Sequence, residues 1–220
     1  MLLLAVAATA TARAAEPWTP TVAIWQAQQL QFTYTSETTY YDCAELRRRV
    51  VAILLAVGAR ADSRVNVECF SGLSNHGTLT LSVVMPREAT ADNVAAATTF
   101  DATQRLAAHV RGETLPTPND LEHFPAVWRQ IAVTKQRRLN IGSSDCELLH
   151  DMAEHVFPQL AIRVPRHGLQ CSAGPSQLRP RLIVEALVPI ERITRVRVAT
   201  TSSPPRAEVA AGQNAGHDAG

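Results

Sequence analysis

Three things are scarce in this chain, and each absence removes a class of function. Net charge is one: 21 Lys and Arg stand against 20 Asp and Glu, a formal +1, so no global field draws the chain to nucleic acid or to an anionic membrane surface. Long apolar runs are another. The most apolar internal stretch, VVAILLAVGA at residues 50–59, falls well short of the ~18 residues a membrane-spanning helix needs. The third is local catalytic and ligand motifs. There is no G-x-S-x-G elbow, no phosphate-cradling glycine loop, no Asp-rich calcium loop and no Cys-x-x-Cys, and with them go the sequence-local signatures of esterases, nucleotide binders, EF-hands and thioredoxin-like enzymes. The acid pairs Asp42 with Glu45 and Asp151 with Glu154 have the placement of helix-start and surface charges rather than of a general acid and base. No catalytic residue and no cofactor is assigned.

The chain opens on MLLLAVAATATARA, residues 1–14, an apolar run closed by the small-x-small pattern Ala12-Arg13-Ala14. That is the pattern of a secretory signal peptide cleaved after Ala14, although no Lys or Arg precedes the run. Its removal takes Arg13 away and brings the formal charge to zero. The expected localisation is periplasmic or extracellular. The tail at 199–220, SSPPRAEVAAGQNAGHDAG and its neighbours, has the proline and small-polar composition of a disordered segment.

Tryptophan and cysteine number only 3 and 4, so their spacing is informative. A shift of 103 residues lays Trp25 on Trp128, Asp42 on Asp145, Cys43 on Cys146 and Pro86 on Pro189, with Leu46 on Leu149 and Ile53 on Val156 in the same register. The match predicts a tandem duplication, with units over 25–86 and 128–198, an N-terminal arm at 15–24, and a connecting segment at 87–127.

Each unit has the same predicted order of elements. Residues 29–36 and 129–136 alternate polar and apolar as half-buried strands do. Asp42-x-x-Glu45 and Ser144-x-x-Glu147 have the form of capping boxes. Helical periodicity follows at Leu46, Val50, Ile53, Leu54 and Val57 until Gly58, and at Leu149, Ala153, Val156 and Phe157 until Pro158. Two short strands complete each unit, at 64–70 and 78–86 and at 162–171 and 179–189, with IERITRVRV after Pro189 prolonging the last. Residues 89–112 predict a connecting helix with Val94, Ala97, Leu106 and Val110 as its apolar face and Gly112 as its stop. The expected class is α+β: two strand-helix-strand-strand units, mixed or antiparallel sheets, helices on one face, and an uncovered sheet face able to receive a protein partner.

That order also predicts a cysteine pairing. A right-handed crossover carries a helix of about fifteen residues down ~22 Å and a strand of six or seven back up ~20–23 Å. The end of the second strand thus returns to the level where the helix began, which places Cys43 by Cys69 and Cys146 by Cys171, separated by 26 and 25 residues. Closing such a loop contributes about 3.5 kcal/mol in the chain-entropy model. A cysteine in a helix's first turn is also where a reactive thiolate would sit, but an even count in an exported chain, without Cys-x-x-Cys, favours structural bridges. Cys146, His150 and His155 share one helical face and are the candidates for a metal site. Their counterparts in the first unit are Cys43, Arg47 and Ala52, and a bridged cysteine cannot ligate as a thiolate, so the histidines are expected to be surface or half-buried residues. The basic run Arg47-Arg48-Arg49 is expected to be a solvated helix face. Together these residues favour an exported, disulfide-stapled, non-enzymatic binding or assembly module over the alternative, a thiol-dependent redox enzyme or small hydrolase.

Overall fold

A computed structural model describes residues 19–69, 72–169, 171 and 180–191. The segments expected to be a signal peptide, 1–14, and a disordered tail, 199–220, lie outside them. Strand β1 runs from Thr21 to Thr35 and shows the alternation expected of a strand covered on one face. Leu30, Phe32 and Tyr34 are buried while Gln29, Gln31 and Thr33 are exposed, because successive side chains point to opposite faces. Tyr41–Asp42 (β2) then leads into helix α1, Cys43–Ala56. Asp42 caps α1, its carboxylate accepting from the Glu45 amide at 2.7 Å. Glu45 does not reach back to complete the box; its carboxylate is held by Arg48 and Arg49 at 2.6 and 2.8 Å. Leu46, Val50, Ile53 and Leu54 are buried, each contributing roughly 1.5–3 kcal/mol by leaving water. The chain turns at Gly58, where φ is +110° and a Cβ would lie 3.1 Å from the Leu187 carbonyl oxygen; glycine alone meets both conditions without strain.

Strands β3 (Arg64–Glu68), β4 (Leu73–Ser74) and β5 (His76–Glu88) complete the first half. After two helices, α2 (Ala91–Thr98) and α3 (Ala102–Arg111), the second half repeats the order with β6 (His123–Ala132), helix α4 (Cys146–Asp151), β7 (Arg163–Gly168) and β8 (Arg181–Pro189). Six of the strands form one sheet in the order β3-β5-β1-β6-β8-β7, and β2 pairs with β4 separately. Every neighbouring pair is antiparallel. The fold is therefore α+β with an antiparallel sheet rather than a mixed one: the first and second sheet strands of each half (β1 and β3, β6 and β7) run parallel, but the third (β5 or β8) is inserted between them.

Outward from the centre, both halves give first, third, second strand: β1-β5-β3 and β6-β8-β7. The seam between them is short. β1 and β6 pair only over Thr21–Ile24 and His123–Ala126, whereas β1 and β5 pair from Ala23 to Thr35. The helices cross this seam: α4 packs against β1, and the turn after α1 abuts β8 at Gly58. Leu46 of α1 lies over Gly77 of β5, on the face that also buries Leu79, Leu81 and Val83. The opposite face of the first half is polar, with cross-strand rows Asn66–Thr80–Gln31 and Glu68–Thr78–Thr33. Nearer the seam a small second core forms from Ala23, Ala126 and Leu187, with Phe124 and Trp128 packed against it.

Three segments depart from the periodicity of the sequence. The connecting helix is two helices, because Asp101 forms a capping box with Gln104 and starts α3 afresh; a short acid able to satisfy free amides competes with helix continuation. Its expected apolar face is not buried: Leu106 is 63% and Val110 77% exposed. The second-half helix is α-helical only to Asp151 and continues as a π-helical turn, Met152–Val156. The Ser144–Glu147 capping box is absent: Ser143–Asp145 form a 3-10 turn and Glu147 bonds elsewhere. Finally, β8 stops at Pro189, with Ile190 and Glu191 helical, so a strand extension does not begin there.

Candidate ligand cleft

The structure joins Cys43 to Cys69 and Cys146 to Cys171, with Cα–Cα distances of 6.1 and 5.5 Å. Both first-named cysteines open their helices. All four sulfurs are oxidised, which leaves no thiolate in this state. His150 Nε2 lies 3.4 Å from Glu154 Oε1 on its own helix, while Cys146 is taken by its bridge. No group of three metal-ligating His, Cys, Asp or Glu side chains occurs among the described residues.

The polar groups nearest the first bridge join the two halves instead. Asp145, the counterpart of the capping Asp42, is 1% exposed. It accepts from the Tyr41 hydroxyl at 2.7 Å and the Gly142 amide at 2.8 Å, with Arg49 Nε at 3.5 Å. Burial, then the bond to Asp145, pushes the Tyr41 phenol far above its ordinary range, and burial lifts Tyr34 to about 12. Arg49 continues across to the Leu139 carbonyl at 2.8 Å, so the basic run is not wholly a solvated face. Glu147 accepts from the Ser36 hydroxyl, from the Glu37 and Thr38 amides at 3.2 and 3.3 Å, and from the Thr38 hydroxyl at 3.1 Å. Partial burial raises its pKa, but these donors outweigh burial and hold it low. Asp151, receiving one long bond of 3.4 Å from the Thr35 amide, is raised by burial. This cluster is a joint between the halves, within which the Tyr34 hydroxyl is buried without a hydrogen-bond partner.

The open concavity lies elsewhere. A cleft of about 670 Å³ is bounded by the end of β5, Trp128 of β6, the turn before β7, and the first residues of β7. Trp128 lines it. The indole N–H donates to Glu88 Oε1 at 2.6 Å, and the Arg163 guanidinium lies 4.4 Å from the centroid of the ring. Arg87, half-buried on the opposite wall, donates from Nη2 to Gln28 Oε1 and the Gln159 carbonyl, both at 2.9 Å. Its Nε is buried without a hydrogen-bond partner, and burial draws its pKa down from the usual guanidinium range. Two guanidiniums therefore face the cleft against one carboxylate, Glu88, which the indole N–H already engages. None of the described lining residues is a serine, threonine, cysteine, histidine, tyrosine or lysine. The walls supply recognition chemistry: an indole face, two guanidiniums and apolar side chains.

The two arginines and Glu88 are absent from the sequence expectations, yet one signal was available. Arg60 and Arg163 stand 103 residues apart, as do Trp25 and Trp128, and Arg60 lies over Trp25 at 5.5 Å. The Trp25 position differs in being closed. Phe124 covers that indole with a centroid distance of 4.7 Å, and Asp62 grips Arg60 through two bonds of 2.8 and 2.7 Å. No family model, curated protein or solved structure matches the chain.

Proposed function

We propose that this chain is an exported, non-enzymatic binding module, built by tandem duplication and stapled by its two disulfides, whose ligand site is the Trp128 cleft. The observation that carries this reading is the cleft itself: an accessible indole with a guanidinium on its face beside apolar walls at Ile162 and Leu187. Such a mix of apolar wall and few directed polar groups is what small-ligand sites share. Export is supported by the apolar leader at residues 1–14 and by the pairing of every cysteine. Duplication is supported by the common spacing of Trp, Asp, Cys, Pro and now Arg, and by the same strand order in each half.

The test is a fragment screen of the intact, oxidised protein followed by proton–nitrogen NMR. Bound fragments are expected to move the Trp128 indole N–H and the Arg163 and Leu187 amides while sparing Trp25. Fragments clustering anywhere else, or turnover of thiol or ester substrates by the purified protein, would overturn the reading.

A further inference from the structure

We infer that the Trp128 cleft takes a ligand carrying a carboxylate, which Arg163 receives on its exposed N–H edge. The inference rests on the cleft being the ligand site and goes on to name what enters it. Its ground is a difference between two arginines that share one setting. Arg60 and Arg163 each lie over a tryptophan, and an arginine so placed keeps its donor edge free for a bidentate partner. Arg60 already has that partner: Asp62, two residues on, takes both Nε and Nη2. The residue 103 positions after Asp62 is Pro165. The second half thus retains the arginine and the indole but replaces the internal carboxylate with a residue that has no acceptor on its side chain.

The neighbouring acids do not make good the loss. Glu185 stands directly across from Arg163 on β8, yet its carboxylate accepts from Gln130 Nε2 at 3.0 Å, and no ion pair among the described residues includes Arg163. Glu88 accepts from the indole of Trp128. Arg87 adds a second cation to the wall, bonded only to neutral oxygens and with its buried Nε unpartnered. A desolvated guanidinium without an anion is held at a cost unless an anion arrives. Asp62 shows which anion the shared setting accommodates, and the adjoining apolar walls would hold the body that bears it.

The experiment uses the full oxidised chain with benzoate, benzamide and inorganic phosphate as probes, followed by the Trp128 indole signal and by calorimetry. Benzoate is expected to bind at Trp128, and benzamide, of the same shape without charge, to bind roughly tenfold or more weakly, the margin a charge-assisted pair supplies. Arg163→Gln should bring benzoate down to the level of benzamide. Pro165→Asp should do the same by restoring the internal carboxylate, with the melting temperature little changed because both side chains are exposed. Equal binding of benzoate and benzamide at Trp128, or benzoate binding unaffected in Arg163→Gln, would overturn the carboxylate assignment and leave the cleft standing. Phosphate binding there in preference to benzoate would likewise overturn it in favour of another oxyanion. If no probe or fragment of either charge moves Trp128, the cleft itself falls as the ligand site.

Discussion

Asp42 and Asp145 occupy matched positions ahead of matched cysteines and do different work. Asp42 sits at the surface and caps a helix, whereas Asp145 is buried and receives the Tyr41 hydroxyl from the other half. Changing Tyr41→Phe removes one donor from an acid still served by Gly142 and Arg49, and the expected loss is about 1 kcal/mol. Asp145→Ala leaves the buried Tyr41 hydroxyl with only the Ser144 carbonyl at 3.3 Å and the half-buried Gly142 amide without its acceptor, and should cost roughly 2–4 kcal/mol. Urea titration of both variants checks the order, and equal losses would mean that water serves the joint. Glu147 and Asp151 give opposite pH signatures. Glu147 has a folded-state pKa below its unfolded value, so its stabilisation is present above the unfolded pKa, near 4.3, and is lost as pH falls through the folded value. Asp151 is raised, so its contribution is present below its unfolded pKa and lost as pH rises through the folded one. Glu147→Gln should therefore lower the urea midpoint at pH 7 and flatten its decline below about pH 5. Asp151→Asn should leave the pH 7 midpoint unchanged or higher; a large loss there would show that the Thr35 bond outweighs burial.

Elements were legible in the sequence where their determinants are local. Helix α1 carries its cap, its apolar stripe and its stop within one segment, and the structure ends it within two residues of Gly58. The capping box expected ahead of α4 did not form because Glu147 is drawn off by Ser36, Glu37 and Thr38, some 110 residues away in the chain, which no local pattern encodes. The helix break before α3 was legible in principle, as Asp101-x-x-Gln104, but uninterrupted periodicity argued for continuation. Periodicity also named Leu106 and Val110 as an apolar face without being able to say whether anything packs on it. The cleft was the least legible feature, since Arg87, Trp128 and Arg163 come from three strands brought together only by the sheet order. These differences bear on the bridges. Cys43 staples a regular helix of 14 residues, whereas Cys146 staples one that is α-helical for 6 residues before its π turn. Either Cys→Ser change should cost ~2–5 kcal/mol, but Cys146→Ser is expected to lower the melting temperature more and to expose the second half to protease first. Equal or reversed losses would place the weaker framework in the first half.

At the scale of the whole molecule, a short ladder holds two three-stranded sheets together, and the question is whether each half is a folding unit. The ladder over Thr21–Ile24 and His123–Ala126 is too brief to bind two finished domains strongly, but the halves do not meet there alone. The second half's α4 lies on β1 of the first. Arg87 of β5 bonds the Gln159 carbonyl, and Tyr41 finds the acceptors of its buried hydroxyl, Asp145 and the Ser144 carbonyl, in the second half. A first half cut free would expose apolar β1 side chains that α4 now covers and strand that hydroxyl. It would also be left with one helix over three strands, a core too thin for a unit of that size to stand easily, even with its bridge. Separate fragments spanning 19–116 and 117–191 are therefore expected to show no cooperative thermal transition, while an equimolar mixture should recover one, and the full chain should melt in a single step by both fluorescence and circular dichroism. A fragment 19–116 that melts sharply alone would show that the interlocking came after an already self-sufficient unit, and that the seam joins two domains rather than completing one.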